Sequence, residues 1–173
     1  MTATTVDPLR TTIERNIKAL SLRPGIGQGT AVTTVHLRDG VACDVEEGAW
    51  TLRTDLGVKS GGRNEAPNPG ILGRAALGSC LAAGYAMWAA RYGIPLTSLE
   101  VVVEADYDSR GLFGVDGVPP GYKEIRYTVR ISSPAAEAEV RRMIEDADLH
   151  SDFLYVFREP QSVTRTIEIE RAS

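Results

Sequence analysis

A long apolar segment at residues 71–92 constrains the fold more than any other feature of the sequence. Residues 75–90 are 16 consecutive uncharged positions, fewer than the roughly 18 apolar residues that a membrane-spanning helix requires. Pro69 comes just before the segment, and Gly93 and Pro95 come just after it, as is typical of the two ends of a helix. Because the segment is apolar on almost every side, it predicts a long helix in the interior of the protein.

Segments typical of strands lie on both sides of this helix. Residues 29–56 contain three β-branched or alternating runs separated by turns, which predicts an antiparallel meander. Residues 99–108 and 122–132 alternate between apolar and polar side chains, and residues 162–170 alternate again near the end of the chain. Strands grouped in this way, instead of alternating singly with helices, predict an α+β fold with a mainly antiparallel sheet.

Two shorter helices complete the predicted fold. Asp7 is expected to cap an N-terminal helix, and Ser133 is expected to cap a third helix that extends to about Leu149. The segments 57–69 and 109–121 are rich in turn-forming residues and are predicted to be surface loops. One sheet and two short helices leave part of an all-round apolar helix uncovered, so we expect a second subunit to supply the rest.

The composition excludes several classes of protein. The 173 residues suffice for one domain, and 19 Lys and Arg against 23 Asp and Glu give a net charge of -4 without a local basic run. Neither nucleic acid nor an anionic membrane is therefore an expected partner. The N-terminus lacks the basic start and apolar core of a secretory signal, and two cysteines are too few for a disulfide framework. We therefore predict a cytoplasmic protein with reduced thiols.

Cys80, within the long helix, is the strongest candidate for a reactive residue. A cysteine reacts as its thiolate, which requires a nearby cation, histidine or helix N-terminus. Cys80 lies about three turns into its helix, so the helix dipole helps little and an activating group must come from another segment. Without such a group, Cys80 is a small buried apolar residue, and the strand pattern around Cys43 favours the same interpretation there.

The sequence shows no spacing that is typical of a metal site. Its cysteines and histidines, namely Cys43, Cys80, His36 and His150, lie in four separate segments, whereas structural zinc sites usually have closely spaced pairs of ligands. The segment around Ser79 also lacks the GxSxG pattern of a serine hydrolase. No metal and no cofactor are therefore predicted.

Residues 68–108 resemble a known family. The segment reads NPGILGRAALGSCLAAGYAMWAARYGIPLTSLEVVVEADYD. Its Asn-Pro start, its cysteine among small residues, its Gly-Ile-Pro-Leu break and its Leu-Glu-Val-Val-Val strand resemble the OsmC/Ohr family of osmotically inducible and organic-hydroperoxide-resistance proteins. The resemblance extends over residues 29–173. We therefore interpret residues 1–173 as one domain, in which residues 1–28 are an N-terminal helix and linker.

The resemblance implies an arrangement of subunits and a reactive cysteine. Family members are intertwined homodimers whose long helices are buried together, with active sites at the subunit interface. In the peroxidase members, a helix cysteine attacks a hydroperoxide, and an arginine from an early strand turn stabilises its thiolate. Cys80 matches this cysteine and Arg38 matches this arginine. The pairing has a physical basis, because a guanidinium beside sulfur favours the thiolate.

Two other positions depart from the family pattern. The family glutamate after Asn-Pro is Gly70 here, and the second cysteine, which resolves the sulfenic acid, is replaced by Ser151. Glu65 is a candidate to hold the arginine instead, and His150 is a candidate to reach Cys80 where the second cysteine would lie. Without a second thiol, a sulfenic acid at Cys80 needs an external thiol.

Three hypotheses about function follow. In the first, the protein reduces an organic hydroperoxide through Cys80, with the help of Arg38 and an external thiol reductant. In the alternative, a homodimer without peroxidase chemistry binds a small apolar ligand at the subunit interface. The third is other thiol chemistry at Cys80, with His150 as the base.

Overall fold

The computed structural model describes residues 7–171, which form five helices and five strands. Two single turns of 3-10 helix, Pro24–Gly27 and Val58–Ser60, lie in the connections. In chain order, the helices and strands are α1 (Pro8–Leu22), β1 (Thr34–Leu37), β2 (Cys43–Glu47), β3 (Trp50–Thr54), α2 (Pro69–Tyr92), β4 (Ser98–Asp106), α3 (Ser109–Leu112), β5 (Glu124–Ser132), α4 (Glu137–Asp148) and α5 (Asp152–Arg158).

The first two long helices begin and end as predicted. The side chain of Asp7 accepts a hydrogen bond from the backbone N–H of Leu9 at 2.9 Å, and the side chain of Asn68 accepts one from Ile71 at 3.0 Å. Such caps satisfy N–H groups that have no partner within the helix. α2 ends at Gly93, whose φ of +71° is left-handed and costs glycine little. No helix within residues 7–171 is both long and apolar enough to span a membrane.

Two antiparallel sheets confirm the predicted α+β fold. β1, β2 and β3 form the predicted meander, with β2 in the centre. β4 and β5 pair along their full length, from Ser98 opposite Ser132 to Asp106 opposite Glu124. The described strands therefore form two separate sheets.

One side of α2 forms the hydrophobic core. α2 lies on the β4–β5 sheet and also contacts α1, α4 and α5. Leu77, Leu81 and Tyr85 of α2 are almost inaccessible to solvent, and Met143 and Leu154 pack with them in the same cluster. Burying each large side chain contributes about 1.5–3 kcal/mol, so this side of α2 holds the fold together.

The opposite side of α2 is exposed in the single chain, as expected for a helix that its own chain covers only in part. We call this surface the open face of α2. Within residues 7–171, no other segment buries it. Its residues recur at four-residue spacing and are small or apolar: Ile71, Ala75, Ser79, Ala83 and Met87.

The C-terminal segment differs from the prediction. Residues 160–171 have no regular secondary structure, so the strand predicted at residues 162–170 is wrong for the single chain. A strand requires the hydrogen-bonding edge of another strand, and no edge among the described strands pairs with this segment. Its apolar side chains remain exposed, with Val163 at 88% and Ile169 at 85% of full accessibility.

The third predicted helix, α4, begins later than expected. Ser133 does not cap it, because the Ser133 hydroxyl donates to the carbonyl of Pro95 at 2.6 Å and accepts from the N–H of Ala135 at 3.1 Å. These bonds fix a turn before the helix. α3 and α5 lie in segments for which no helix was predicted, since four and seven residues are too few to show a helical period.

Candidate functional site

Cys80 lies on α2 at the boundary between the packed side and the open face. Cys80 is half-buried, whereas Leu81 is buried and Ser79 is exposed. The Sγ atom of Cys80 is 3.5 Å from the Oγ atom of Ser151. Ser151 is only 7% exposed, and it caps α5 by accepting a hydrogen bond from the N–H of Leu154. We call Cys80 and Ser151 the thiol site.

A partly buried carboxylate holds the α4–α5 turn next to Cys80. Asp148, three residues before Ser151, accepts hydrogen bonds from the hydroxyls of Tyr85 at 2.6 Å and Tyr127 at 2.7 Å. Burial, and then Asp148, raise the pKa of Tyr85 above its ordinary value, and they raise the pKa of Tyr127 to about 12. Both hydroxyls are therefore protonated donors at neutral pH. Their bonds tie the end of α4 to α2 and β5.

His150 does not contact the thiol in this structure. Its Nδ1 atom donates to the carbonyl of Asp146 at 2.7 Å, and its ring centroid lies 4.8 Å from that of Trp88. Trp88 is about 12 Å further along α2 than Cys80, at 1.5 Å per residue. The structure thus brings Ser151, and not His150, beside Cys80.

Arg38 lies in a charged cluster near the turn between β1 and β2. Its Nε atom is 2.6 Å from the carboxylate of Asp44, which also accepts from Nε of Arg53 at 2.9 Å. Hydrogen bonds from these guanidinium groups, Arg53 before Arg38, lower the pKa of Asp44 and keep it ionised. Arg38 and Arg53 line an open cavity of about 420 Å³ together with Glu65. We call Arg38 and Glu65 the arginine site.

Asp55 holds the loop that carries Glu65. The buried Asp55 carboxylate accepts hydrogen bonds from the backbone N–H groups of Leu56 at 2.8 Å, Arg63 at 3.0 Å and Glu65 at 3.1 Å. These bonds, with the one from Glu65 first, lower the pKa of Asp55 below its usual value. The ionised carboxylate therefore closes the loop and keeps Glu65 near the arginines. No sequence motif predicted this role of Asp55.

The thiol site and the arginine site do not meet within one chain. Among the hydrogen bonds and ion pairs of residues 7–171, none joins Arg38 or Glu65 to Cys80. The sheet that carries Arg38 is largely exposed, with Trp50 at 78% and Leu37 at 68% of full accessibility. The chain thus presents a thiol and a guanidinium on two separate surfaces.

The described residues contain no cluster with the composition of a metal site. Within residues 7–171, no three His, Cys, Asp or Glu side chains converge closely enough to hold a metal ion. His36 is exposed on β1. Cys43 is half-buried on β2, and its Sγ atom is 3.9 Å from the carbonyl oxygen of Val41.

Solved structures with the same fold were found by comparison. The chain is similar to an OsmC-like protein from Mycoplasma pneumoniae, with a TM-score of 0.64, 16% identity and coverage of 76% of this chain and 89% of that chain. It is similar to an organic hydroperoxide resistance protein from Legionella pneumophila, with a TM-score of 0.55, 15% identity and coverage of 75% and 90%. For an organic hydroperoxide resistance protein from Elizabethkingia anophelis, the values are 0.55, 16%, 76% and 89%. At these identities, the similarities show a shared fold.

The sequence comparison identifies the family. A search of curated proteins found no match. The family model described as OsmC-like protein matches residues 62–165, which is more than half of the chain. This range includes α2 with Cys80, the β4–β5 sheet and Ser151. The protein therefore belongs to the family of OsmC-like proteins.

Proposed function

We propose that this protein is a homodimer that reduces an organic hydroperoxide through Cys80, with the partner's Arg38 beside the sulfur and an external thiol as reductant. The observation that carries the proposal is a half-buried thiol at the edge of the open face of α2, 3.5 Å from a buried hydroxyl. Family membership supports it, and so do the names of the two structural neighbours that are organic hydroperoxide resistance proteins.

Uncovered apolar surface supports the dimer. The open face of α2 and the apolar side chains of the β1–β3 sheet are exposed in a single chain. Monomeric soluble proteins rarely expose large contiguous apolar patches. In a two-fold dimer, the same patch of both chains meets across the axis and every contact between different residues occurs twice, so the arginine site of each protomer can complete the thiol site of its partner. This arrangement accounts for the separation of the two sites within one chain.

The proposed chemistry begins with the thiolate of Cys80. Its sulfur attacks the outer oxygen of the hydroperoxide, an S–O bond forms and the O–O bond breaks. The sulfur is oxidised by two electrons to a sulfenic acid, and the alkoxide leaves and takes a proton to become the alcohol. Arg38 stabilises the attacking thiolate and the negative charge that moves to the leaving oxygen. One external thiol then condenses with the sulfenic acid and releases water, and a second thiol reduces the mixed disulfide.

Peroxide turnover tests the proposed function. With cumene hydroperoxide and dithiothreitol, we expect the wild-type protein to consume peroxide and Cys80→Ser to be inactive. Cys43→Ser is the matched control, and it should retain activity because the Cys43 sulfur on β2 lies beside the Val41 carbonyl and not beside Ser151. If the wild type and Cys80→Ser both show negligible turnover, the proposed peroxidase activity is rejected.

A cysteine at position 151 should change how the oxidised protein is resolved. The Ser151 Oγ atom is 3.5 Å from the Cys80 sulfur, so a thiol at position 151 would lie next to the sulfur with which it would form a bond of about 2.05 Å. We expect Ser151→Cys to form an intrachain disulfide after one equivalent of cumene hydroperoxide. Mass spectrometry should then show the loss of two hydrogens in place of sulfenic and sulfinic acid at Cys80.

The controls for this variant separate chemistry from stability. Ser151→Ala is the control variant. It removes the hydroxyl that caps α5, at a cost of about 0.5–2 kcal/mol, and it introduces no second thiol. It should therefore overoxidise at least as readily as the wild type. If Ser151→Cys overoxidises like Ser151→Ala and forms no disulfide, the two side chains do not share a reactive site in solution.

A further inference from the structure

A second cavity lies near the start of α2, between two loops. It has a volume of about 500 Å³, within the range of roughly 300–1,000 Å³ that is typical of small-molecule sites. Cys80 is not among its lining residues. Its walls combine apolar side chains with a guanidinium, a phenol and a carboxylate: Leu56, Pro69, Leu112, Arg74, Tyr122 and Asp108.

Arg74 brings a positive charge to this cavity without a carboxylate partner. No ion pair within residues 7–171 includes Arg74, and its one side-chain hydrogen bond there is from Nη1 to the hydroxyl of Tyr122 at 3.2 Å. Asp108 also lines the cavity, but its carboxylate is paired with Arg110 at 2.7 Å and with Lys123 at 3.3 Å. A guanidinium binds carboxylates through paired, charge-assisted hydrogen bonds, and Arg74 has no such partner among the described residues.

Gly70 lies close to both polar groups of the cavity and has no side chain to cover them. A Cβ atom at position 70 would lie 3.2 Å from the Tyr122 hydroxyl and 3.4 Å from Nη1 of Arg74. It would also lie 3.1 Å from Oδ1 of Asn68, so a side chain at this position would crowd both polar groups. With glycine, no side chain of residue 70 covers them.

We propose that this cavity binds a small organic acid with an apolar body, such as an aromatic or short-chain carboxylate. The carboxylate accepts hydrogen bonds from Arg74 and from the Tyr122 hydroxyl, which gives up its long bond of 3.5 Å to the Gly70 carbonyl, and the apolar body lies against Leu56 and Leu112. A neutral molecule of the same shape would leave the guanidinium without a partner, so the negative charge is the main determinant of recognition.

The cavity is separate from the proposed peroxide site. Arg74 and Cys80 are about 9 Å apart along α2 and about 120° apart around it, at 3.6 residues per turn. Binding of the acid therefore does not require the thiol. A Cys80→Ser variant should bind as the wild type does, whether or not the protein is a peroxidase.

Calorimetric titration of the full chain tests the proposal, with benzoate and hexanoate as probes and benzyl alcohol as the neutral control. We expect saturable binding of the acids and none of the alcohol. Arg74→Met should weaken binding at least about tenfold, as expected for the loss of a charge-assisted hydrogen bond. Arg15→Met, which removes an exposed arginine on α1, is the matched control and should bind normally.

Gly70→Glu provides a second, independent variant. Its own carboxylate would occupy the space in front of Arg74, so it should abolish binding, and an acidic residue suits the first turn of a helix. Tyr122→Phe should cause a smaller loss. Circular dichroism verifies that each variant is folded. The proposal is overturned if neither acid binds at millimolar concentration, or if Arg74→Met and Gly70→Glu bind benzoate as tightly as the wild type.

Discussion

Replacing Asp148 with alanine is expected to lower the free energy of unfolding by about 2–4 kcal/mol. The Asp148 carboxylate is the acceptor for the hydroxyls of Tyr85 and Tyr127, and Tyr85 is completely inaccessible to solvent. Removing the carboxylate takes the acceptor from the inaccessible Tyr85 hydroxyl, at about 1–3 kcal/mol for a buried unsatisfied group, and from the half-buried Tyr127 hydroxyl, at a smaller cost. Urea denaturation followed by circular dichroism measures the loss. All variants should be compared at one protein concentration, since the stability of a dimer depends on it.

A similar pair at the surface provides the control. Tyr92 and Asp146 also connect α2 to α4, with the Tyr92 hydroxyl donating to Asp146 at 2.7 Å, but this bond is exposed. Water can replace the lost partner there, so Asp146→Ala should cost about 1 kcal/mol or less. Equal losses for Asp148→Ala and Asp146→Ala would show that burial does not strengthen the Asp148 interaction.

The same hydrogen bonds imply that the stability of the folded state depends on pH in the alkaline range. Burial and Asp148 raise the pKa of Tyr127 to about 12, while an unfolded tyrosine titrates near 10. Between these values, the folded state keeps a proton that the unfolded state loses. The stabilisation is therefore complete below about pH 10 and declines as the pH rises towards 12. In Asp148→Ala, this decline should be shallower.

Local signals account for the parts of the fold that were predictable. Asp7, Pro69 and Gly93 mark helix ends through contacts within a few residues, so their sequence patterns are sufficient. The strand predicted at residues 162–170 depends on an edge elsewhere, and alternation cannot show whether that edge exists within the same chain. For this reason, the hairpins were predicted correctly and the last strand was not.

The candidate site shows the same difference between local and distant contacts. The position of Ser151 opposite Cys80 was suggested only by the family resemblance, because the residues are 71 positions apart. Asp148 was not predicted at all. It lies in an acidic run at a helix end, and its partner Tyr85 is 63 positions away. Nothing in either local sequence distinguishes this carboxylate from a solvated one.

Replacing Ala83 with arginine on the open face of α2 is expected to separate the proposed dimer into monomers. Ala83 is in the middle of a stripe of small and apolar side chains that the single chain leaves exposed. An unpaired charge buried in a close-packed interface costs about 3–5 kcal/mol, which corresponds to a Kd about 100-fold higher or more. Size-exclusion chromatography with light scattering measures the mass of the wild type and of Ala83→Arg.

A matched substitution on a solvated face controls for the added charge. Ala138 is an exposed alanine on α4, so Ala138→Arg introduces the same side chain into a helix away from the open face of α2. This variant should keep the mass of the wild type. A monomeric wild-type protein at micromolar concentration, or a fully dimeric Ala83→Arg, would contradict the proposed interface.

Hybrid dimers determine whether the active site is shared between subunits. We expect Cys80→Ser and Arg38→Met to be inactive or strongly impaired as separate proteins. If they are unfolded together and refolded, random pairing makes half of the dimers hybrid. Each hybrid then combines one intact Cys80 with an intact Arg38 from its partner, which should restore about one quarter of wild-type peroxide turnover. If turnover does not recover in the mixture, Arg38 does not act on the partner's thiol. As a control, adding Ala83→Arg to both chains should abolish any recovery that depends on the dimer.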